Sequence, residues 1–449
     1  MDMDLWNAPA GEAFEGDYPE SYGKYAAHLR EIVARQLAEL NSVGSSPRAP
    51  ELLGILRGRR SGRQDLAQIE VLPRKRGGAG GSLIARGEIV MPADSFASPE
   101  VNAVVKARGF DQVAERGGLR VLRHGGAFQA RVRETIDEFR REGGAGWFHA
   151  VGAMAAVGKG TGGPEPVDGP GAFAAPTGDR QPGPRVAVID TGIPASRRGD
   201  GWLDAVPRDA DNVDLLDAFP CGRDGFLDFQ AGHGTFVAGI VQRVAPGADI
   251  RVYRAADSDG FATDADIAAA LRRAYADGAR IINLSLGIRT PDDEPPPGLA
   301  GAVAHIHADS GGQTVIVAAA GNFGDEDPCW PGSLAGVEAV AGLTAELQPS
   351  RWSSHGDHVR FSAVAEGIRS TFVPGNESPV FDREPESFPE DAWALWSGTS
   401  FAAPQIAGAI ARICQELEMP PREATDLLAE RGLAISKFGR GMRILEGVR

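Results

Sequence analysis

Cysteine is scarce: the 449 residues hold only Cys221, Cys329 and Cys414. No C-x-x-C and no Cys/His cluster with zinc spacing occurs, and at most one disulfide can form, which excludes a zinc-built or disulfide-built module. Long apolar runs are missing as well. The longest candidates, Phe148 to Val157 and Val315 to Ala320, are short and rich in Ala and Gly, too short to cross a bilayer. The chain opens Met-Asp-Met-Asp-Leu-Trp, acidic where an export signal is basic, and no hydrophobic stretch follows. The expected location is therefore the cytoplasm, with secretion by another route left open. Positive charge is in deficit, with 46 Lys and Arg against 61 Asp and Glu and a formal net charge of −15. Such a surface repels nucleic acid and anionic membrane, so neither is an expected partner. No metal or cofactor is expected.

What is present is ordinary for a globular protein, 42% hydrophobic and 24% charged, except for 59 glycines and 31 prolines, which predict many tight turns and some linker. The length allows two or three domains. Residues 1–65 read as an N-terminal tail carrying one amphipathic helix over 23–41. There Ala26, Leu29, Ile32, Val33, Leu37 and Leu40 recur at spacings of three and four. Residues 42–65 read as linker. Residues 66–158 predict a small α+β domain in the order β-α-β-α-β, with a strand over Ser82 to Met91 and a helix over Phe128 to Glu142. Residues 159–184 are a Gly/Pro-rich linker. From residue 185 to 449, short apolar runs at Val186, Ile250, Ile281, Thr314 and Val337 alternate with helical patterns at Asp264 to Tyr275 and Phe401 to Leu417. That alternation predicts an α/β fold, a doubly wound parallel sheet covered on both faces. Function gathers at the carboxyl ends of the strands of such a sheet.

Three segments carry chemistry. In Val186-Ala-Val-Ile-Asp190-Thr-Gly192 a buried strand ends on a carboxylate. In Gly232-His233-Gly-Thr-Phe-Val-Ala-Gly239 a histidine opens a helix of small residues, and in Gly398-Thr-Ser400-Phe-Ala-Ala-Pro404 a serine does the same. Alone, each is an ordinary turn former, helix-terminal residue or N-cap. Together they supply what acyl transfer needs: a hydroxyl nucleophile, an imidazole able to take and return its proton, and a carboxylate to orient the imidazole. The chain order Asp, His, Ser is that of subtilisin rather than of chymotrypsin or the α/β-hydrolases.

In these three segments the chain resembles the subtilisin-like serine peptidases, over about residues 185–449. The resemblance implies a serine endopeptidase with Asp190, His233 and Ser400 as triad and Asn322, in Val317-Ala-Ala-Ala-Gly321-Asn322, as an oxyanion donor. The alternative is a catalytically silent protease-like module that binds a peptide. The resemblance further implies a polypeptide substrate held extended between Ser285-Leu286-Gly287 and the segment around Gly260. Leu286, Gly287, Ala319, Ala320 and Gly321 would wall the P1 pocket and Cys329 would make it shallow. Family members often carry an N-terminal prodomain of small α+β fold, a role open to residues 66–158. The N-terminal region would then cover the cleft and be cut between Lys159 and Pro184. Residues 373–392, acidic and rich in Pro, Glu and Ser, read as an inserted mobile flap.

Overall fold

A computed structural model describes residues 20–42, 48–75, 81–94, 99–124, 129–141, 145–154, 163–169, 183–220 and 223–448. Residues 1–19, most of the 159–184 linker and Cys221 lie outside them. Two helices come first, α1 (Glu20–Ser42) and α2 (Ala49–Arg60). The second replaces the linker expected over 42–65. Its Leu52 and Leu56, one turn apart, are buried, a pairing obscured by Gly54, Gly58 and the closing arginines.

The small domain follows: β1 (Ile69–Leu72), β2 (Ser82–Pro92), α3 (Pro99–Ala107), β3 (Phe110–Arg116), β4 (Leu119–His124), α4 (Gln129–Arg141) and β5 (Trp147–Ala153). Its pairings are antiparallel. The sequence reading missed β3 because only Phe110 of its seven residues is buried, so no alternation shows. Helices α3 and α4 pack Val105, Val132, Ile136 and Phe139 against Ile84, Ile89 and Leu122 of the sheet. Val90, Leu119 and Val121 turn the other way, onto Ala265 of the following domain.

After β6 (Glu165–Val167) the chain alternates as its pattern predicts: β7 (Arg185–Asp190), α5 (His233–Val244), β8 (Asp249–Arg254), β9 (Phe261–Thr263), α6 (Asp264–Ala276), β10 (Ile281–Leu284), α7 (Pro297–Ser310), β11 (Val315–Ala319), β12 (Val337–Leu343) and β13 (Val359–Val364). It closes with β14 (Ile368–Thr371), β15 (Gly375–Asn376), β16 (Ser387–Phe388), β17 (Trp393–Trp396), α8 (Ala403–Leu417), α9 (Pro421–Arg431), β18 (Leu433–Ile435) and β19 (Gly439–Met442). The main sheet runs β18-β19-β13-β12-β11-β10-β7-β8. It is parallel except at β18, which pairs antiparallel to β19. Both faces are covered. Val186 and Val188 point to α5 and α8, where Phe236, Ile240, Ile406 and Ile410 are buried; Ala187 and Ile189 point to Ile267, Leu271, Leu299 and Ile306 of α6 and α7. The period-two side-chain alternation of a strand thus divides one run of apolar residues between two cores.

The insertion expected as a flap is ordered. β15 and β16 form a hairpin, Phe388 packs on Phe372, and Phe381 meets Phe229 edge-on at 5.1 Å. Two buried aromatics anchor a segment whose composition had suggested only solvation.

At the start of β6, which pairs with β17, Glu165 is nearly buried beside Arg35 at 3.4 Å. Burial pushes its carboxyl up to about 8, against the pull of Arg35. A carboxyl raised in the folded state binds its proton there more tightly than when unfolded. Its contribution to stability is therefore lost as pH rises from about 4.5 towards about 8. Glu165→Gln should leave Tm nearly unchanged at pH 5 and raise it at pH 8.5. Thermal melts of both proteins across that range check this.

Candidate active site

The carboxyl ends of β7, β10 and β11 lie side by side, because these strands pair in register from Val186, Ile281 and Val315. Asp190, the last residue of β7, is fully buried. Its Oδ1 accepts from the Thr191 backbone N–H at 2.8 Å and lies 2.8 Å from His233 Nδ1. His233 is the first residue of α5 and almost fully buried. With Nδ1–H given to Asp190, Nε2 carries the lone pair, and it has no hydrogen-bond partner among the described residues. The imidazole packs against Trp396 and Phe401, at ring distances of 5.4 and 5.5 Å, so the chain around Ser400 borders it.

The closeness of the Asp and His segments depends on glycine. A Cβ on Gly234 would lie 2.3 Å from the Gly192 carbonyl oxygen, so only a residue without a side chain lets α5 start against the turn after Asp190. Asp214, which the sequence reading did not single out, fastens both. Its Oδ2 accepts from Thr191 Oγ1 at 3.0 Å and from Gly232 N–H at 2.9 Å, while Thr191 Oγ1 accepts from Gly234 N–H. Burial pushes the Asp214 carboxyl up to about 6. Its only signal in sequence was a polar residue in a loop, of which the chain has dozens.

Ser400 precedes α8, buried, with Oγ 3.2 Å from the Ser285 carbonyl oxygen. Ser285 Oγ in turn donates to the Ser400 carbonyl at 2.7 Å, which ties the serine turn to the end of β10. Asn322 Oδ1 accepts from Thr399 N–H at 3.0 Å and from Thr399 Oγ1 at 2.7 Å. With its oxygen committed there, the amide nitrogen lies towards Gly398, where a Cβ would sit 3.6 Å from Nδ2.

Gly287 and Gly260 flank one and the same segment, the end of β5. Ala153 exchanges both backbone hydrogen bonds with Gly287, at 3.2 Å each, and Met154 N–H donates to the Gly260 carbonyl at 3.0 Å. On its other side β5 pairs antiparallel with β9, Ala153 opposite Phe261. The Met154 carbonyl oxygen lies 3.3 Å from Ser400 Oγ. Cys329 is fully buried between Gly287 and Gly321, where added Cβ atoms would stand 2.8 and 2.9 Å from its sulfur. Ala319, Ala320 and Gly321 leave the end of β11 beside it. Burial pushes the Cys329 thiol up to about 11, so it is packing material rather than a thiolate. No cluster of His, Cys, Asp and Glu suited to a metal occurs among the described residues. No helix among them is long and apolar enough to cross a membrane.

A model of the subtilase family, peptidase S8, matches residues 181–431. The chain belongs to the subtilase family. Thermitase of Thermoactinomyces vulgaris is 29% identical over 256 residues, covering 55% of this chain and 79% of thermitase. The thermophilic serine proteinase of Bacillus sp. strain AK1 is 32% identical over 279 residues, 58% of this chain and 60% of that one. Fervidolysin from Fervidobacterium pennivorans, a keratinolytic enzyme related to subtilisin, shares the fold at TM-score 0.57 and 20% identity, over 81% of this chain and 60% of its own. The family is one of serine endopeptidases, and this subtilase is a subtilisin-like member of it.

Asp214→Asn keeps the shape but replaces one accepting oxygen by an N–H₂ that faces other donors. A buried hydrogen-bond mismatch costs about 1–3 kcal/mol. The variant should lose that much stability and about tenfold or more in kcat, because the turn after Asp190 and the start of α5 come apart. Chemical denaturation and peptide hydrolysis measure the two losses.

Proposed function

We propose that this subtilase hydrolyses peptide bonds through an acyl-enzyme on Ser400, with His233 as general base and then acid, Asp190 as its orienting partner, and Asn322 and the Ser400 N–H as oxyanion donors. The observation that carries this reading is the 2.8 Å contact of Asp190 Oδ1 with His233 Nδ1. It fixes the tautomer whose free Nε2 can take the serine proton. Attack of Ser400 Oγ on a carbonyl forms a C–O bond and moves the π electrons onto oxygen, while the proton passes to His233. Collapse expels the amine, which takes the proton back. Water then repeats the steps to release the acid. The substrate is a polypeptide lying extended between Gly287 and Gly260, paired through its backbone.

We further infer that residues up to Met154 form a region that occupies this groove until the enzyme cuts it loose. The Met154 carbonyl stands beside Ser400 Oγ, ahead of the 159–184 linker where the composition had suggested the cut. The expected scission is the bond after Met154 or the next one. Purified protein should yield a new N-terminus at Ala155 or Ala156, and the Ser400→Ala protein none. Intact-mass analysis reads it, and an active enzyme that remains whole refutes the self-processing reading.

Asn322→Ala should lower kcat by about 10²–10³, the loss known for removal of one such donor in subtilisin itself, with little change in KM. Kinetics on an unstructured peptide distinguish this from a binding defect. The P1 pocket, walled by small residues and filled at one end by the Cys329 sulfur, favours modest apolar P1 side chains over Lys or Arg. Cys329→Gly should shift a peptide-library profile towards larger apolar residues. A profile dominated by Lys and Arg contradicts the assignment.

A further inference from the structure

Outside the catalytic centre, a heavily charged buried cluster lies beside the groove. Helix α2 ends in Arg57, Arg59 and Arg60. The Arg59 guanidinium enters a box built wholly by residues after 185. It meets Asp228 through Nη2, Asp259 through Nε at 3.3 Å, and the Phe219 carbonyl at 2.9 Å. Its Cζ lies over the Phe381 ring, 4.9 Å from the ring centroid. Arg60 beside it reaches Asp257 at 2.6 Å. The side chains of Asp228 and Asp259 are 0% exposed and that of Arg59 is 9% exposed.

The box does not need Arg59 to hold its shape. Asp228 accepts from the backbone N–H groups of Ala218 and Phe219 and from Ser258 Oγ, and Asp259 accepts from Phe229 N–H. It does need a cation. Two buried carboxylates side by side repel, and burial with the neighbouring Asp259 already raises Asp228 to about 7. Emptied, they hold buried charge without a counterion unless they take up protons. Carboxylates in a fork and an aromatic face fit a planar guanidinium better than the compact ammonium of lysine.

Its position relates it to the groove. Val151 and Ala153, two apart on β5, share one strand face. Both pack in one cluster with Leu52 and Leu56 of α2 and with Phe229, Phe261 and Phe381. Arg59 and Arg60 follow Leu56 by one turn, and Asp259 adjoins Gly260, which holds Met154 N–H. When β5 and α2 leave together, a new extended chain in the place of β5 turns the residues at the Val151 and Ala153 positions towards the opened box.

We propose that Asp228, Asp257 and Asp259, with Phe219 and Phe381, form a guanidinium-binding box that α2 fills with Arg59 and Arg60, and that in the processed enzyme it takes an arginine side chain of the polypeptide substrate. The second half rests on the self-processing reading above. The two halves are tested apart.

The box itself is read without catalysis, in the full-length Ser400→Ala chain. Arg59→Ala added to it opens the box, and Arg59→Met, which keeps the length of the side chain, serves as a second opening variant. Ethylguanidinium at millimolar concentration should raise Tm of either double variant by several degrees, more than ethylammonium at equal ionic strength. It should not raise Tm of the Ser400→Ala protein, nor of a triple variant that adds Asp259→Asn. Equal response of all proteins overturns the box.

The substrate role is read in the processed wild type with two extended peptides that differ only in arginine or alanine at the position matching Val151, and a second pair at that matching Ala153. The kcat/KM ratio of arginine to alanine should reach about tenfold in one pair, with lysine lower. It should fall near one in Asp259→Asn, a ratio taken within the variant and so independent of its overall rate. A ratio near one in the wild type, or one that survives Asp259→Asn, overturns the assignment. A wild-type chain that stays whole refutes self-processing and with it the substrate role, while the melting experiment still reports on the box.

Discussion

A carboxylate with no exposure at the end of a buried strand is the constraint around which the rest of this molecule is arranged. The buried Asp190 carboxyl has lost its hydration, and few groups replace it: the Thr191 N–H and the His233 imidazole, with Oδ2 left without a partner among the described residues. Holding the imidazole there requires that α5 begin against the turn after β7. That start requires Gly234 beside the Gly192 carbonyl and the Asp214 cross-link beneath both. The next two strands of the sheet beyond β7 then fix the remaining contacts. β10 delivers Ser285 to the backbone of Ser400, and β11 delivers Asn322 to Thr399. The parallel sheet therefore acts as a ruler: the segments that follow Asp190, Leu284 and Ala319 lie side by side because three neighbouring strands end together, and the turn of Ser400 is hydrogen-bonded to two of them.

Much of this was legible from sequence where burial on both faces leaves a run of apolar residues. β7, β10 and β11 show such runs, and each is followed by a segment whose small residues announce a close approach. Asp190 and Asn322 stand at the ends of two of those runs, whereas His233 and Ser400 stand in small-residue segments that open α5 and precede α8. What was not legible follows from physics that sequence patterns do not carry. Helix α2 hid behind its arginines, because charged side chains that insert into a neighbouring domain look the same in sequence as solvated ones. The hairpin of residues 375–388 looked like a flap because its acidic residues outnumber its anchors, yet Phe381 and Phe388 suffice to seat it. Strand β3 is exposed on six of seven residues and exists because β4 pairs with it. Asp214 is a polar loop residue whose importance lies wholly in which donors the fold brings to it.

The region before Met154 is attached to the rest at several places, three of which differ in kind. Backbone pairing at β5 is insensitive to sequence. The plug of Arg59 and Arg60 depends on charge and on geometry. Helix α1 adds a third contact far from both: Leu29, Ile32 and Val33 pack on Leu395, and buried Gln36 donates to the carbonyls of Gly163 and Leu395 and accepts from Ser397 Oγ. Ion pairs of Arg74 with Asp293 and Asp327 widen the hold. β6 lies against β17, so a chain cut at Met154 as proposed would begin with both of its ends anchored.

Scission alone would therefore not empty the groove. A segment tethered to its own groove binds at an effective concentration of millimolar order for a short linker, and cutting the tether replaces that concentration by the actual one. These contacts would be unchanged by such a cut, so the region would stay until dilution, competition or proteolysis removed it. Competition falls first on the contact whose chemistry another chain can match. Backbone pairing is open to any extended peptide, but the paired stretch is only three residues long on β9. The arginine plug is harder to replace, because whatever displaces it has to bring a cation of the same shape into a site where two carboxylates are buried. Release would thus be easiest for a competitor that satisfies both at once.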